Sequence, residues 1–299
     1  MQKALNIFLF LLISHLVCSQ SLVISSTIYD QQETAIPYVN IYVKGERKGT
    51  VSDKSGHFAL TINREDIDKS LIISAIGFES QTLSVSTNLP SKIYLKEIVY
   101  DLTEAVVLSG KERIIESGNL EFPVSGDITN YQSIGMRIPT GYQSAIFLEN
   151  PTPSEGLFKN ISFFIGKEGK YKTPFRVKVY SIDEKEDKPD SLLVKKDIII
   201  TAKKKGEWCQ IDVSRHHIPF PKNGAFVVME WLHNEKKYQY TRKGKYSGKK
   251  WKLQSYGQGL GLYSKAPNYE SWSYYLGVGW KKEIPTYKPL IKAQIAIYE

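Results

Sequence analysis

Between Leu22 and Leu95 the chain reads LVISSTIY (22–29), VNIYVK (39–44), HFALTI (57–62), LIISAI (71–76) and SQTLSV (80–85), five short runs rich in β-branched and aromatic residues. Asp30-Gln31-Gln32, Gly45 to Gly49, Asp53-Lys54-Ser55-Gly56 and Gly77 separate them, residues whose local hydrogen bonding or tolerance of positive φ makes turns. Helical periodicity is almost absent. Short strands at regular spacing predict an all-β sandwich.

Ahead of this stretch, Lys3 supplies a positive start and Ala4 to Val17 an apolar core. Small residues then stand at the end of Val17-Cys18-Ser19. The pattern predicts a signal peptide over 1–19, cleaved after about Ser19, and an exported protein of the periplasm or outer-membrane surface. The apolar core is well below the roughly 20 residues of a membrane span, so no transmembrane segment is expected in the mature chain. His15-Leu16-Val17 before Cys18 argues against lipidation. With that segment removed, Cys209 is the one cysteine left, so no internal disulfide is available and stability must come from packed apolar area.

A set of spaced residues carries a family resemblance: Tyr29-Asp30, Ala35 to Ile41, Lys44-Gly45, Gly49 to Asp53, Ser55-Gly56-His57-Phe58 and Ile73 to Glu79. Together they are similar to the carboxypeptidase regulatory-like domain, over about a quarter of the chain. The resemblance implies a seven-stranded transthyretin-like sandwich for residues 20–98, of the kind found at the amino end of exported Bacteroidota proteins and TonB-dependent receptors. Leu102 to Leu108 is similar to the segment that follows the domain in those receptors. The zinc-binding His-x-x-Glu pair of metallocarboxypeptidases has no counterpart here. His57, His216, His217 and His233 are followed three places on by Leu60, Pro219, Phe220 and Lys236. The fold is therefore carried over without a peptidase activity, a metal or a cofactor.

Beyond an expected linker at 99–118, residues 119–299 read as a larger antiparallel β-sandwich, jelly-roll-like. Its expected strands are 158–165, 175–181, 192–200, 206–213, 225–232, 259–263, 273–280 and 291–298. Phe175-Arg176-Val177-Lys178-Val179-Tyr180 alternates, which predicts apolar members in a core and basic ones in water. Charge separates the two halves. Residues 20–98 hold 8 basic and 9 acidic side chains, whereas 99–299 hold 31 and 22, so the basicity lies in the second domain. An anionic partner fits that balance: an envelope glycan, an anionic polymer or an acidic outer-membrane protein surface, rather than nucleic acid.

The densest local feature is 236–252, with eight basic residues, no acid, and rings interleaved. Lys243, Lys245, Lys249 and Lys250 with Tyr238, Tyr240, Tyr246 and Trp251 form a candidate binding set, the rings suited to sugar faces and the lysines to anions. The same composition also suits a solvated hairpin kept soluble by its lysines. Other candidates read structurally. His216-His217 sits at a strand end and turn, the acidic run 183–190 in a hairpin loop, Gly257-x-Gly259-x-Gly261 in a closely packed strand, and Cys209 as a small hydrophobe. No nucleophile elbow is present, and Glu121, Glu149, Glu155 and Glu230 lack a glycosidase frame. The expectation is an exported, non-catalytic binding or scaffolding protein of a bacterial envelope. A carbohydrate-active enzyme and an interaction module of an outer-membrane transporter are the alternatives.

Overall fold

The computed structural model describes residues 21–99, 110–119, 128–130, 140–152, 154–233, 235–246, 248–263, 270–283 and 288–298. The leader expected at 1–19 lies outside them. So do Glu121 and half of the expected linker, residues 100–109.

Seven strands come from the amino-terminal part: β1 (Ser21–Tyr29), β2 (Asn40–Val43), β3 (Gly49–Val51), β4 (His57–Asn63), β5 (Ser70–Ser74), β6 (Gln81–Ser84) and β7 (Lys92–Tyr94). Burial alternates strictly along β4, with Phe58, Leu60 and Ile62 inward, as period-2 geometry requires of a strand with one wet face. β1 pairs antiparallel with β4 and parallel with β7, and the second sheet runs β3-β2-β5-β6. The two close on Ile24, Ile28, Val39, Ile41, Phe58 and Ile73. This is the expected seven-stranded sandwich. Its two members not apparent in the residue pattern, β3 and β7, are three residues long, too short for alternation to separate them from turns.

The remainder supplies β8 (Glu112–Gly118), β9 (Ile128–Asn130), β10 (Gln143–Leu148), β11 (Gly156–Gly169), β12 (Phe175–Asp183), β13 (Lys188–Leu192), β14 (Ile199–Ile200), β15 (Glu207–Asp212), β16 (Pro219–Phe220), β17 (Ala225–Trp231), β18 (Gln239–Tyr246), β19 (Lys249–Tyr256), β20 (Gln258–Tyr263), β21 (Ser271–Tyr275), β22 (Gly279–Lys282), β23 (Lys288–Pro289) and β24 (Ile291–Tyr298). One sheet runs β13-β12-β17-β10-β21-β22 with β14 beside β12. The facing sheet runs β23-β20-β11-β24-β8, with β15 and β16 on β11 and β9 on β20. Phe158, Phe163, Phe175, Met229, Trp231 and Ile295 are among the side chains that fill the space between. Stability without a disulfide rests on this burial, at about 25 cal/mol per Å² of apolar surface.

Three sequence expectations change here. Residues 112–118, inside the expected linker, form β8, an edge strand on β24. The run 192–200 is not one strand: β13 ends at Leu192, and the polar Lys195-Lys196-Asp197 interrupts the apolar pattern before β14. The run 273–280 folds back on itself, because Gly277 at φ +83 lets β21 turn into β22. Among the described residues no helix is long and apolar enough to cross a membrane.

Candidate functional site

β18 and β19 form a ribbon that, among the described residues, pairs with no other strand, and Gly248 stands at φ +80 just before β19. Its register sets Lys243 opposite Lys252 and Lys245 opposite Lys250. Strand alternation places positions 243, 245, 250 and 252 on one side. Lys243, Lys250 and Lys252 are exposed there, and among the described residues no carboxylate pairs with them. Like charges directly opposite one another destabilise a strand pair, so this side costs the ribbon stability.

Trp251 and Tyr240 go to the other side. Trp251 lies over Gly244, so closely that a methyl there would overlap the indole, and the Arg242 guanidinium stands 5.9 Å from the same ring. Arg242 also donates to Glu168 of β11 at 3.1 Å, fastening the ribbon to the sandwich. Tyr240 and Leu253 are half-buried on this side, and position 246 falls there opposite Lys249. Tyr238 stands apart, in the 3-10 turn Lys236–Tyr238, where Lys237 pairs with Glu235 at 2.6 Å and lies 4.8 Å from the tyrosine ring. The structure thus brings the candidate residues other than Tyr238 onto one ribbon, and its register puts positions 243, 245, 250 and 252 on one side and Tyr240, Trp251 and Lys249 on the other, a separation that interleaving in the sequence conceals. Lys252, absent from the candidate set, belongs to the lysine side. Strand parity is the signal that would have found it.

A second polar feature lies between the sandwiches. Arg176 and Lys178 of β12, expected in water, are instead 1% and 5% exposed, beside Glu230 of β17 at 0%. Arg176 donates twice to Asp197 (2.6 and 2.8 Å), once to Glu230 (3.0 Å) and once to the Tyr38 carbonyl of the first sandwich (2.8 Å). Lys178 Nζ is 3.1 Å from Glu230, and Asn40 of β2 donates to the other Glu230 oxygen at 2.9 Å. The first sandwich covers this end of the sheet, which is why an outward-facing basic pair is dry. Burial pushes the Glu230 carboxyl up, but the facing charges of Lys178 and Arg176, with the Arg176 and Asn40 hydrogen bonds, hold it below its ordinary value. Burial outweighs Glu230 at Lys178 and holds that amine below its ordinary value. Around the charges, Tyr38 and Val51 pack with Leu232 and Leu276, His233 Nδ1 meets the Val51 carbonyl at 2.6 Å, and Arg47 stacks 4.0 Å from the Tyr275 ring. Gly277 admits the β2–β3 loop, since a methyl there would overlap the Glu46 carbonyl oxygen.

The remaining candidates sit apart from both features. His216 closes the 3-10 turn Ser214–His216, with His217 in the left-handed region after it. The acidic run spans the end of β12, the turn after it and the start of β13. Cys209 lies half-buried in β15, where burial pushes its thiol up.

Comparison with known proteins bears on the first sandwich. Residues 24–107 match the family model of the CarboxypepD_reg-like domain. A stretch of 90 residues is 30% identical to TonB-dependent receptor P39 of Formosa agariphila, covering 30% of this chain and 8% of the receptor. This chain therefore spans a small part of that relative's length. Among solved structures, the cysteine protease and lectin-like domains of Cwp84 from Clostridium difficile align over 60% of this chain and 37% of theirs, at 15% identity and a TM-score of 0.34. An infectious bursal disease virus structure aligns over 93% of this chain and 63% of its own, at 9% identity and a TM-score of 0.23. The sandwich of β1 to β7 is a CarboxypepD_reg-like domain.

Proposed function

We propose that the protein is exported to a bacterial cell envelope and works there as a non-catalytic binding or scaffolding protein, with the lysine side of the β18–β19 ribbon contacting an anionic envelope glycan or polymer. One observation carries this reading: Lys243, Lys250 and Lys252 stand exposed and without carboxylate partners among the described residues, in a register that sets like charges across the strands. An anion laid along that side relieves the repulsion it meets, so binding and ribbon stability reinforce one another. The receptor-like amino-terminal domain supports the envelope setting.

The test is binding of the purified chain to lipopolysaccharide and to an acidic polysaccharide across a salt series. A Coulomb contact fades as the Debye length falls from about 10 Å at 0.1 M to about 3 Å at 1 M salt. Replacing Lys243, Lys245, Lys250 and Lys252 by Gln should remove most of the salt-sensitive part, while Lys249→Gln, on the ring side, removes less. Equal binding by wild type and the four-Gln variant at low salt, with both folded, would overturn the proposal.

The similarity to a receptor favours a second reading, in which the CarboxypepD_reg-like domain docks onto an outer-membrane protein. Retention of a large membrane protein by the whole chain, lost when β1 to β7 are deleted and regained when they are supplied, would favour it.

A further inference from the structure

Ile200, Cys209 and Ile211 spend their side chains on the core of the larger sandwich, so what the crossover from β14 to β15 leaves uncommitted is backbone. β15 is an edge strand. Among the described strands it pairs only with β11, in an unbroken register from Asn160 opposite Asp212 to Ile165 opposite Glu207. The Val213 amide donates to the Lys159 carbonyl at 2.9 Å, and that bond fixes the parity of the ladder. Ile211 and Cys209 therefore direct N–H and C=O at β11, while Trp208, Gln210 and Asp212 direct theirs away from the sheet. No described group bonds those outward amides and carbonyls. A space of about 480 Å³ lies beside them. Every residue from Glu207 to Asp212 lines it, with Ile199, Ile200 and Thr201 across the gap. Space over one face of a strand touches alternate residues, so contact with each residue in turn marks an opening along the strand's edge.

An open edge is a template for another strand, and natural sheets blunt it with lysine, proline or a bulge. β15 carries none of these. Its sequence EWCQID has no Lys or Pro, its register against β11 does not shift, and Lys203 to Lys205 stand on the bridge before it. At the rim Lys203 and Lys204 are matched by Glu207 and Asp212, so the opening favours neither a cation nor an anion. What it offers is backbone pairing along about 20 Å of strand, at ~3.4 Å per residue. Side chains of an added strand level with the exposed Gln210 and Asp212 meet water, whereas those level with Cys209 and Ile211 face the seam towards Ile199 and Ile200. We infer that β15 takes an extended, uncharged peptide segment of a partner protein as an added strand, its side chains alternating polar and apolar. This contact involves neither the ribbon lysines nor β1 to β7, so it stands or falls apart from the functions proposed for them.

The probe is a fluorescent octapeptide, capped at both ends, that alternates valine with serine and threonine. Its binding to the full chain is followed by fluorescence polarisation and by hydrogen exchange resolved to single amides. The amides of Trp208, Gln210 and Asp212 should exchange about tenfold more slowly with peptide present, while those of Cys209 and Ile211, already bonded to β11, stay unchanged. N-methylating alternate peptide residues should weaken binding about tenfold in one parity and far less in the other, because only every second residue directs its N–H at the edge. Gln210→Pro removes an outward N–H at an edge position that tolerates proline. It should keep the melting temperature and lose peptide binding by about tenfold. Should that variant unfold, the parity of the N-methylated peptides still decides. No binding at millimolar peptide, equal weakening in both parities, or unchanged exchange at Trp208, Gln210 and Asp212 would overturn the inference. So would a dimer of the chain alone that Gln210→Pro dissolves, since a second copy would then occupy the edge.

Discussion

In the ribbon, Lys243 and Lys252 face one another across two strands with water on their outer side. At the junction of the sandwiches, Arg176 and Lys178 stand two residues apart on β12 with Glu230 beside both and almost no solvent access. Both regions place like charges close together on strands, yet their energetics differ in kind. In the ribbon the repulsion is screened by solvent and weak. At the junction each charge has lost its hydration, and only mutual pairing and hydrogen bonds keep it there. The difference teaches that the ribbon's lysines are free to serve a ligand, whereas the junction's charges are committed to holding the CarboxypepD_reg-like domain against its neighbour.

Glu230→Ala should show the largest effect. It leaves Arg176 and Lys178 buried with one carboxylate fewer, a loss of about 3–5 kcal/mol. Thermal unfolding should fall by roughly 10 °C. Replacing Arg176, Lys178 and Glu230 together by apolar residues of similar size should recover most of that loss. A drop under 2 °C for Glu230→Ala would place the junction in the same weak regime as the ribbon.

Acid should separate the regions next. A carboxyl held below its ordinary value in the folded state contributes stability that is fully present above the unfolded value, and that stability disappears as pH falls through the folded one. For Glu230 the loss therefore begins below about pH 4.3. Lys178 acts with the same sign in a higher pH window, between its lowered folded value and its ordinary one. It gains a proton on unfolding, and its contribution to stability rises with pH through that window. Melting curves between pH 3 and 7 should be steeper at the acid end for wild type than for Glu230→Gln. Superimposable slopes would contradict the assignment.

A smaller, local effect is expected at Gly244. An added methyl displaces Trp251, so Gly244→Ala should loosen the ribbon by about 1–2 kcal/mol while the sandwiches keep their melting temperature. Tryptophan fluorescence and protease nicking near Gly248 report this. The smallest change belongs to the four-Gln ribbon variant, whose stability should lie within about 0.5 kcal/mol of wild type, with a slight gain from removing opposed charges. A large loss there would mean that the lysines are structural after all.

How far the residues alone lead depends on whether a neighbour nearby in the chain sets the outcome. Turn chemistry at Asp53-Lys54-Ser55-Gly56 is local: Asp53 accepts from the Ser55 and His57 amides at 2.8 and 3.0 Å, and the strand after it is legible. The same holds for β1, β2, β4, β5 and β6, whose patterns mark an all-β sandwich before any contact is known. Ribbon composition was legible too, because eight cations without an acid stand out at any fold. Its division into two sides needed the register of β18 against β19. Arg176 and Lys178 mark the limit. Their alternation with Phe175, Val177 and Val179 correctly puts them on the opposite side of β12 from the core. Alternation cannot say what covers that side, and what covers it is a domain more than 130 residues away, through Tyr38 and Asn40. The strand periods and turn residues by themselves determined an all-β chain, its charge count a basic remainder, and the spaced motif residues a resemblance to the carboxypeptidase regulatory-like domain. Only the tertiary structure decided which charges are wet and which are dry, because desolvation depends on whatever segment arrives from elsewhere in the chain.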